Sequence, residues 1–190
     1  MKVLILALVL AAAPFAHAQP AQIILIRHGE KPADPEAVHL SKEGQERARA
    51  LVHFVTTTPE LKEHGLPAAL FATQTTKHGR GQRTQETIAP LAKELGLPIQ
   101  TPVGSEEYKA MAKAVLSNHK LRGKTILICW THEFIPELAA ALGVRPQPPK
   151  WKDENYDGVY LISYEPGGVK LQELTQPFSP GAKEPKKHKH

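Results

Sequence analysis

Ala21-Gln22-Ile23-Ile24-Leu25-Ile26-Arg27-His28-Gly29-Glu30 is the stretch that decides the fold. Residues 21–26 form a short apolar run rich in β-branched side chains, which predicts a buried strand. The run ends abruptly at Arg27-His28-Gly29, where glycine allows a turn tight enough to leave a neighbouring side chain free.

The pattern outward from this strand alternates. Ser41 caps a predicted helix that carries Ala48, Leu51, Val52 and Val55 at helical spacing and runs to about Thr56. Residues 68–72 read as a second strand, and a helix over 83–95 follows a loop rich in Thr, Gly and basic residues and stops at Gly96. Ser105 is the expected N-cap of a further helix bearing Met111, Ala114 and Val115, with Glu106 and Glu107 in its first turn. Thr125 to Trp130 is the most apolar strand, and it runs through Thr131-His132-Glu133 into a helix that reaches Leu142 and ends at Gly143. Residues 158–164 and 169–174 form a hairpin over Pro166-Gly167-Gly168.

Strands alternating with helices predict an α/β protein, a three-layer α/β/α sandwich around a mainly parallel sheet. Ligands bind such sheets beyond the carboxyl ends of the strands. Two predicted strands end in histidine, at His28 and His132.

Lys2, the apolar run 3–13 and Ala16-His17-Ala18 have the form of a secretory signal peptide cleaved after Ala18, which predicts a periplasmic or secreted product. The expected organisation is signal peptide 1–18, one domain over 19–178 and a disordered basic tail over 179–190. No other segment is apolar enough to cross a membrane. Cys129 is the only cysteine, so stability must come from the core rather than from an internal disulfide. The formal charge of +5 comes mostly from Lys2 and the tail's four lysines, leaving the body near neutral. A nucleic-acid surface is not expected from such a body.

Arg27 and His28 leave the first strand together, and imidazole there could attack phosphorus and divide a hydrolysis into two easier steps. Arg83, four residues before Thr87 at a helix start, offers a guanidinium fork suited to a phosphate dianion; Arg80 is the neighbouring alternative. His132 sits where a strand gives way to a helix N-terminus, a place that favours anions. The histidines show no metal-ligand spacing, so neither metal nor cofactor is expected. Trp130, Trp151 and Tyr156 are aromatic candidates for the rim, with Trp130 equally suited to the core, and Glu30 and Lys31 either contact substrate or pair with each other.

Arg27-His28-Gly29-Glu30, Leu40-Ser41-Lys42-Glu43-Gly44, Arg83-Thr84-Gln85-Glu86-Thr87 and Thr131-His132-Glu133, in that order, resemble the histidine phosphatase superfamily, also called phosphoglycerate mutase-like. The likeness extends from about Ile23 to Gly143. The link from residue 72 to Arg83 is longer than usual for that family and lacks its serine-proline start.

The resemblance implies that His28 is the phosphorylated nucleophile and that Arg27, Arg83 and His132 form a phosphate pocket. A general acid is also needed. One branch of the family places it at Glu106 or Glu107 and another at Glu133; the short chain resembles the first. With no inserted lid domain, an open site is expected. The implied activity is metal-independent phosphomonoester hydrolysis of a small phosphorylated molecule or an envelope-attached phosphate ester. The alternatives are a phosphomutase, against which export weighs, and a non-catalytic phosphate- or envelope-binding protein that keeps the fold.

Overall fold

The computed structural model describes residues 19–181, so the predicted signal peptide and residues 182–190 of the basic tail lie outside the described residues. Strand β1 (Gln22–Arg27) is followed by helix α1 (Lys42–Thr57), a single turn α2 (Pro59–Lys62), β2 (Ala69–Phe71), α3 (Gln82–Leu95), β3 (Ile99–Gln100) and α4 (Tyr108–Leu116). The chain continues through β4 (Thr125–Trp130), α5 (Ile135–Ala141) and a hairpin of β5 (Gly158–Glu165) and β6 (Gly168–Thr175). The sheet order is β3-β2-β4-β1-β5-β6. The first four of these strands run parallel, and β5 and β6 are added antiparallel.

Because successive strand residues face opposite sides, β1 divides its apolar residues between two cores. Ile23 and Leu25 meet Met111 and Val115 of α4 and Leu138 of α5 on one face. Ile24 and Ile26 meet Leu51 and Val55 of α1 and Ile88 and Leu91 of α3 on the other. All four β1 residues are fully buried, each contributing roughly 1.5–3 kcal/mol of transfer free energy. This two-sided burial is why the strand reads as a continuous apolar run rather than an alternating one.

The predicted elements stand within a few residues of their places. Ser41 caps α1, its Oγ accepting from Gly44 N at 3.1 Å, and Gly96 ends α3 in the left-handed conformation at φ 65°. Ser105 does not cap α4: the helix starts at Tyr108 with Glu107 as N-cap residue, and the Ser105 carbonyl instead accepts from Trp130 Nε1 at 3.0 Å. A 3-10 turn, His132–Phe134, separates β4 from α5. Among the described residues no helix is long and apolar enough to cross a membrane.

Candidate active site

His28 follows the last residue of β1 and is held to the strand beside it by its N–H, which donates to the Trp130 carbonyl at 3.2 Å. The loop it enters is pressed against the start of α1. A Cβ on Gly29 would stand 2.9 Å from the Gly44 carbonyl oxygen, and one on Gly44 would stand 2.5 Å from that of Glu30. Both glycines are therefore required by close backbone approach. Ser41 N donates to the Glu30 carbonyl at 2.9 Å and completes the junction.

The segment 83–87 fixes the same loop from α3. Thr87 Oγ1 accepts from Gly29 N at 2.8 Å and donates to the Arg83 carbonyl at 2.7 Å. Thr84 Oγ1 accepts from Thr73 N at 3.2 Å, and Gln85 Nε2 donates to the Thr73 carbonyl at 3.0 Å. Glu86 accepts from Leu40 N at 2.9 Å. The side chains from 84 to 87 thus bind α3 to the loops around His28, and Arg83 is positioned by donating to the Ala37 carbonyl at 2.6 Å.

Arg27, His28 and His132 are all buried, at 1, 5 and 8 % exposure. His28 Nδ1 lies 2.7 Å from the Gly29 carbonyl oxygen. A carbonyl can only accept, so Nδ1 carries the proton and Nε2 of the neutral ring keeps its lone pair. Burial pushes the His28 pKa down to about 3, and the positive charges of Arg27, Arg83 and His132 push the same way, against the hydrogen bond to Gly29. The four groups named from sequence are therefore brought together. The charge of Arg83 reaches His28, while Arg80 N donates to Thr76 Oγ1 and its carbonyl accepts from Thr76 N in the preceding loop.

Residues 151–157, just before β5, form a wall beside the site; the sequence offered Trp151 and Tyr156 of this segment as rim candidates but not Lys152, Asp153 or Asn155. Arg27 Nη1 donates to the carbonyls of Lys152 (3.4 Å), Asp153 and Asn155 (3.2 Å). Its guanidinium carbon lies 4.0 Å from the centre of the Tyr156 ring, and that ring is 6.2 Å from the His28 imidazole. The Asp153 carboxylate lies 3.0 Å from His132 Nε2. Trp151 belongs to the core, 4 % exposed, with its Nε1 donating to the Asn155 carbonyl at 2.8 Å. Trp130 is fully buried too, so of the three aromatic rim candidates only Tyr156 stands at the site.

One further expectation is corrected. Glu30 pairs with neither substrate nor Lys31: its carboxylate accepts from Arg47 Nε at 2.9 Å and Nη2 at 2.5 Å in a buried ion pair. Glu133 lies 3.4 Å from His132 Nδ1, and Asp153 lies 3.0 Å from His132 Nε2. Glu106 and Glu107 are exposed at the start of α4, where Glu107 accepts from Gly104 N at 2.9 Å.

Arg27 Nε, Arg27 Nη2 and His132 Nδ1 are buried without a hydrogen-bond partner. Orphaned guanidinium donors beside a neutral imidazole suit an anion. The strand order and the parallel core set the architecture. The chain has a phosphoglycerate mutase-like fold. Alpha-ribazole phosphatase from Shigella flexneri superposes with a TM-score of 0.57 at 15% identity, over 85% of this chain and 99% of that one. A histidine-to-alanine mutant of phosphoserine phosphatase from Entamoeba histolytica, in complex with phosphoserine, gives 0.53 at 14% identity, over 82% and 96%. At these identities the likeness is one of fold. No family model and no curated protein matches the sequence.

Proposed function

We propose that the protein hydrolyses phosphate monoesters through a phosphohistidine formed on His28 Nε2. The observation that carries this reading is the His28 ring itself: neutral, with Nδ1–H committed to the Gly29 carbonyl and the other nitrogen left nucleophilic among unpaired cationic donors. Solved proteins of the same fold are named as phosphatases, which supports the reaction class.

In the first step Nε2 attacks phosphorus and the bond to the ester oxygen breaks. Arg27, Arg83 and His132 hold the transferring phosphoryl group, whose negative charge matches their surplus of positive charge. Attack by a neutral imidazole needs no prior deprotonation, because burial and the cations have already removed the ring's second proton. In the second step water cleaves the phosphohistidine. Each step requires a carboxyl group, first to protonate the leaving oxygen and then to accept a proton from water. Glu106, Glu107 and Glu133 are the sequence's candidates for it, and of these Glu133 lies at His132.

Burial of Arg27, His28 and His132 suits a phosphoryl group, with the organic part of the ester lying toward the 151–157 wall and solvent. We further propose export to the periplasm or medium, based on the signal-like leader, and a phosphorylated small molecule or envelope-attached phosphate ester as substrate. Comparing His28→Ala with the wild-type chain on p-nitrophenyl phosphate, with EDTA present, tests the proposal. Turnover by the wild type and loss of at least about a thousandfold in the variant are expected. An inactive wild type, or a variant that equals it, contradicts the reading.

A further inference from the structure

We propose that Asp153, in the wall of the site, is the acid that protonates the leaving oxygen and afterwards takes the proton from attacking water. The inference rests on the phosphatase reading above and names a residue for its unassigned proton step. Three observations carry it.

Asp153 is held in place. Its own carbonyl accepts from Arg27 Nη1, and the flanking carbonyls of Lys152 and Asn155 accept from the same nitrogen. The segment is anchored by buried Trp151, whose Nε1 donates to the Asn155 carbonyl, and by Asn155 Oδ1, which accepts from Gly158 N at 2.8 Å. A Cβ on Gly158 would stand 2.7 Å from the Trp151 ring, so the chain leaves the wall through a close contact that only glycine permits. A proton donor needs such fixed placement, because its contribution depends on hydrogen-bonding distance to the departing oxygen.

Asp153 also stands at the rim. Arg27 Nε and Nη2 are buried without a partner, whereas the Asp153 side chain is 70% exposed and its carboxylate lies 3.0 Å from His132 Nε2. The carboxylate therefore stands where the leaving group of an ester held by Arg27 would pass to solvent. Finally, Asp153 and Glu133 are the carboxylates whose charges act on both Arg27 and His132. Glu133 stands 3.4 Å from Nδ1 without a hydrogen bond to it, while Asp153 has hydrogen-bonding distance to Nε2.

The proton balance is closed. The protonated Asp153 carboxyl gives its proton to the ester oxygen as the phosphorus–oxygen bond breaks and the phosphorus–Nε2 bond forms, releasing an alcohol. Water then attacks phosphorus, its proton passes to the Asp153 carboxylate, and the phosphorus–Nε2 bond breaks to release inorganic phosphate.

Leaving-group dependence tests the assignment. The purified chain and its Asp153→Asn, Asp153→Glu and Glu133→Gln variants are assayed on p-nitrophenyl phosphate, whose phenolate departs readily, and on 2-phenylethyl phosphate, whose alkoxide needs a proton. Asp153→Asn is expected to lose about 100-fold in kcat/KM on the alkyl ester and at least roughly tenfold less than that on the aryl ester, with Asp153→Glu recovering part of the alkyl rate. Equal losses on both esters would make Asp153 a positioning residue and overturn the proposal. The same selective loss in Glu133→Gln but not Asp153→Asn would overturn it in favour of Glu133. A wild type inactive on both esters would instead remove the phosphatase reading on which it stands, a failure distinct from either of the others.

Discussion

Two buried arginines, Arg27 and Arg47, lie within a few residues of the same loop and have opposite fates. Arg47 faces Glu30 through two nitrogens and stacks on Phe178, with its guanidinium carbon 4.4 Å from the ring centre. Its charge is matched by the Glu30 carboxylate, although Nη1 is buried without a hydrogen-bond partner. Arg27 donates through one nitrogen to three backbone carbonyls and keeps Nε and Nη2 unpartnered, beside His28, Arg83 and His132. Its charge is only partly answered, by Glu133 and Asp153 at the edge. A matched buried cation is architecture, whereas a cluster of under-matched ones is a site awaiting an anion.

The comparison breaks if the two arginines behave alike. Removing one partner of a buried pair leaves the other charge uncompensated, so Arg47→Ala is expected to cost about 3–5 kcal/mol of stability, measured by urea unfolding. Arg27→Ala is expected to leave stability much closer to that of the wild type, because it relieves repulsion among cations, yet to lose roughly 100-fold or more in kcat/KM on p-nitrophenyl phosphate. A large stability loss in Arg27→Ala with activity retained in the folded fraction would erase the distinction.

A smaller effect sharpens it. His28 has a native pKa near 3 against an ordinary value of 6.5, so between these values the unfolded chain binds a proton that the native ring refuses. Native stability therefore rises with pH across this window and falls as pH is lowered through it. His28→Asn removes that contribution. Between about pH 7 and pH 5 the wild type should lose about 1–2 kcal/mol more than the variant in urea unfolding. Equal losses would mean that the His28 ring is not held neutral by its surroundings.

The same contrast explains what could be read from sequence. The strand-end placement of Arg27, His28 and His132 was legible because period and composition mark where β1 and β4 stop, and a parallel sheet brings those ends together. Arg83 was legible as a basic residue at a helix start. Glu30 with Arg47 was not, because the pair closes across a turn and a helix with no local signature. β3 was missed because two residues carry no periodicity. The wall was legible only through Trp151 and Tyr156, for a deeper reason. Lys152, Asp153 and Asn155 meet Arg27 through backbone carbonyls, which any residue supplies, and the segment follows neither helical nor strand spacing. The buried Trp151 and the tight Gly158 were its visible marks, but neither indicates the direction in which the chain folds.

The central claim is that His28 Nε2 carries the phosphoryl group, and rapid acid-free quenching during turnover, followed by mass spectrometry of the digested chain, tests it most directly. The account predicts a phosphoryl adduct on the peptide containing His28, absent from His28→Ala and lost on acid treatment. Steady turnover by the wild type with no such adduct, or with the adduct on His132 instead, would contradict it.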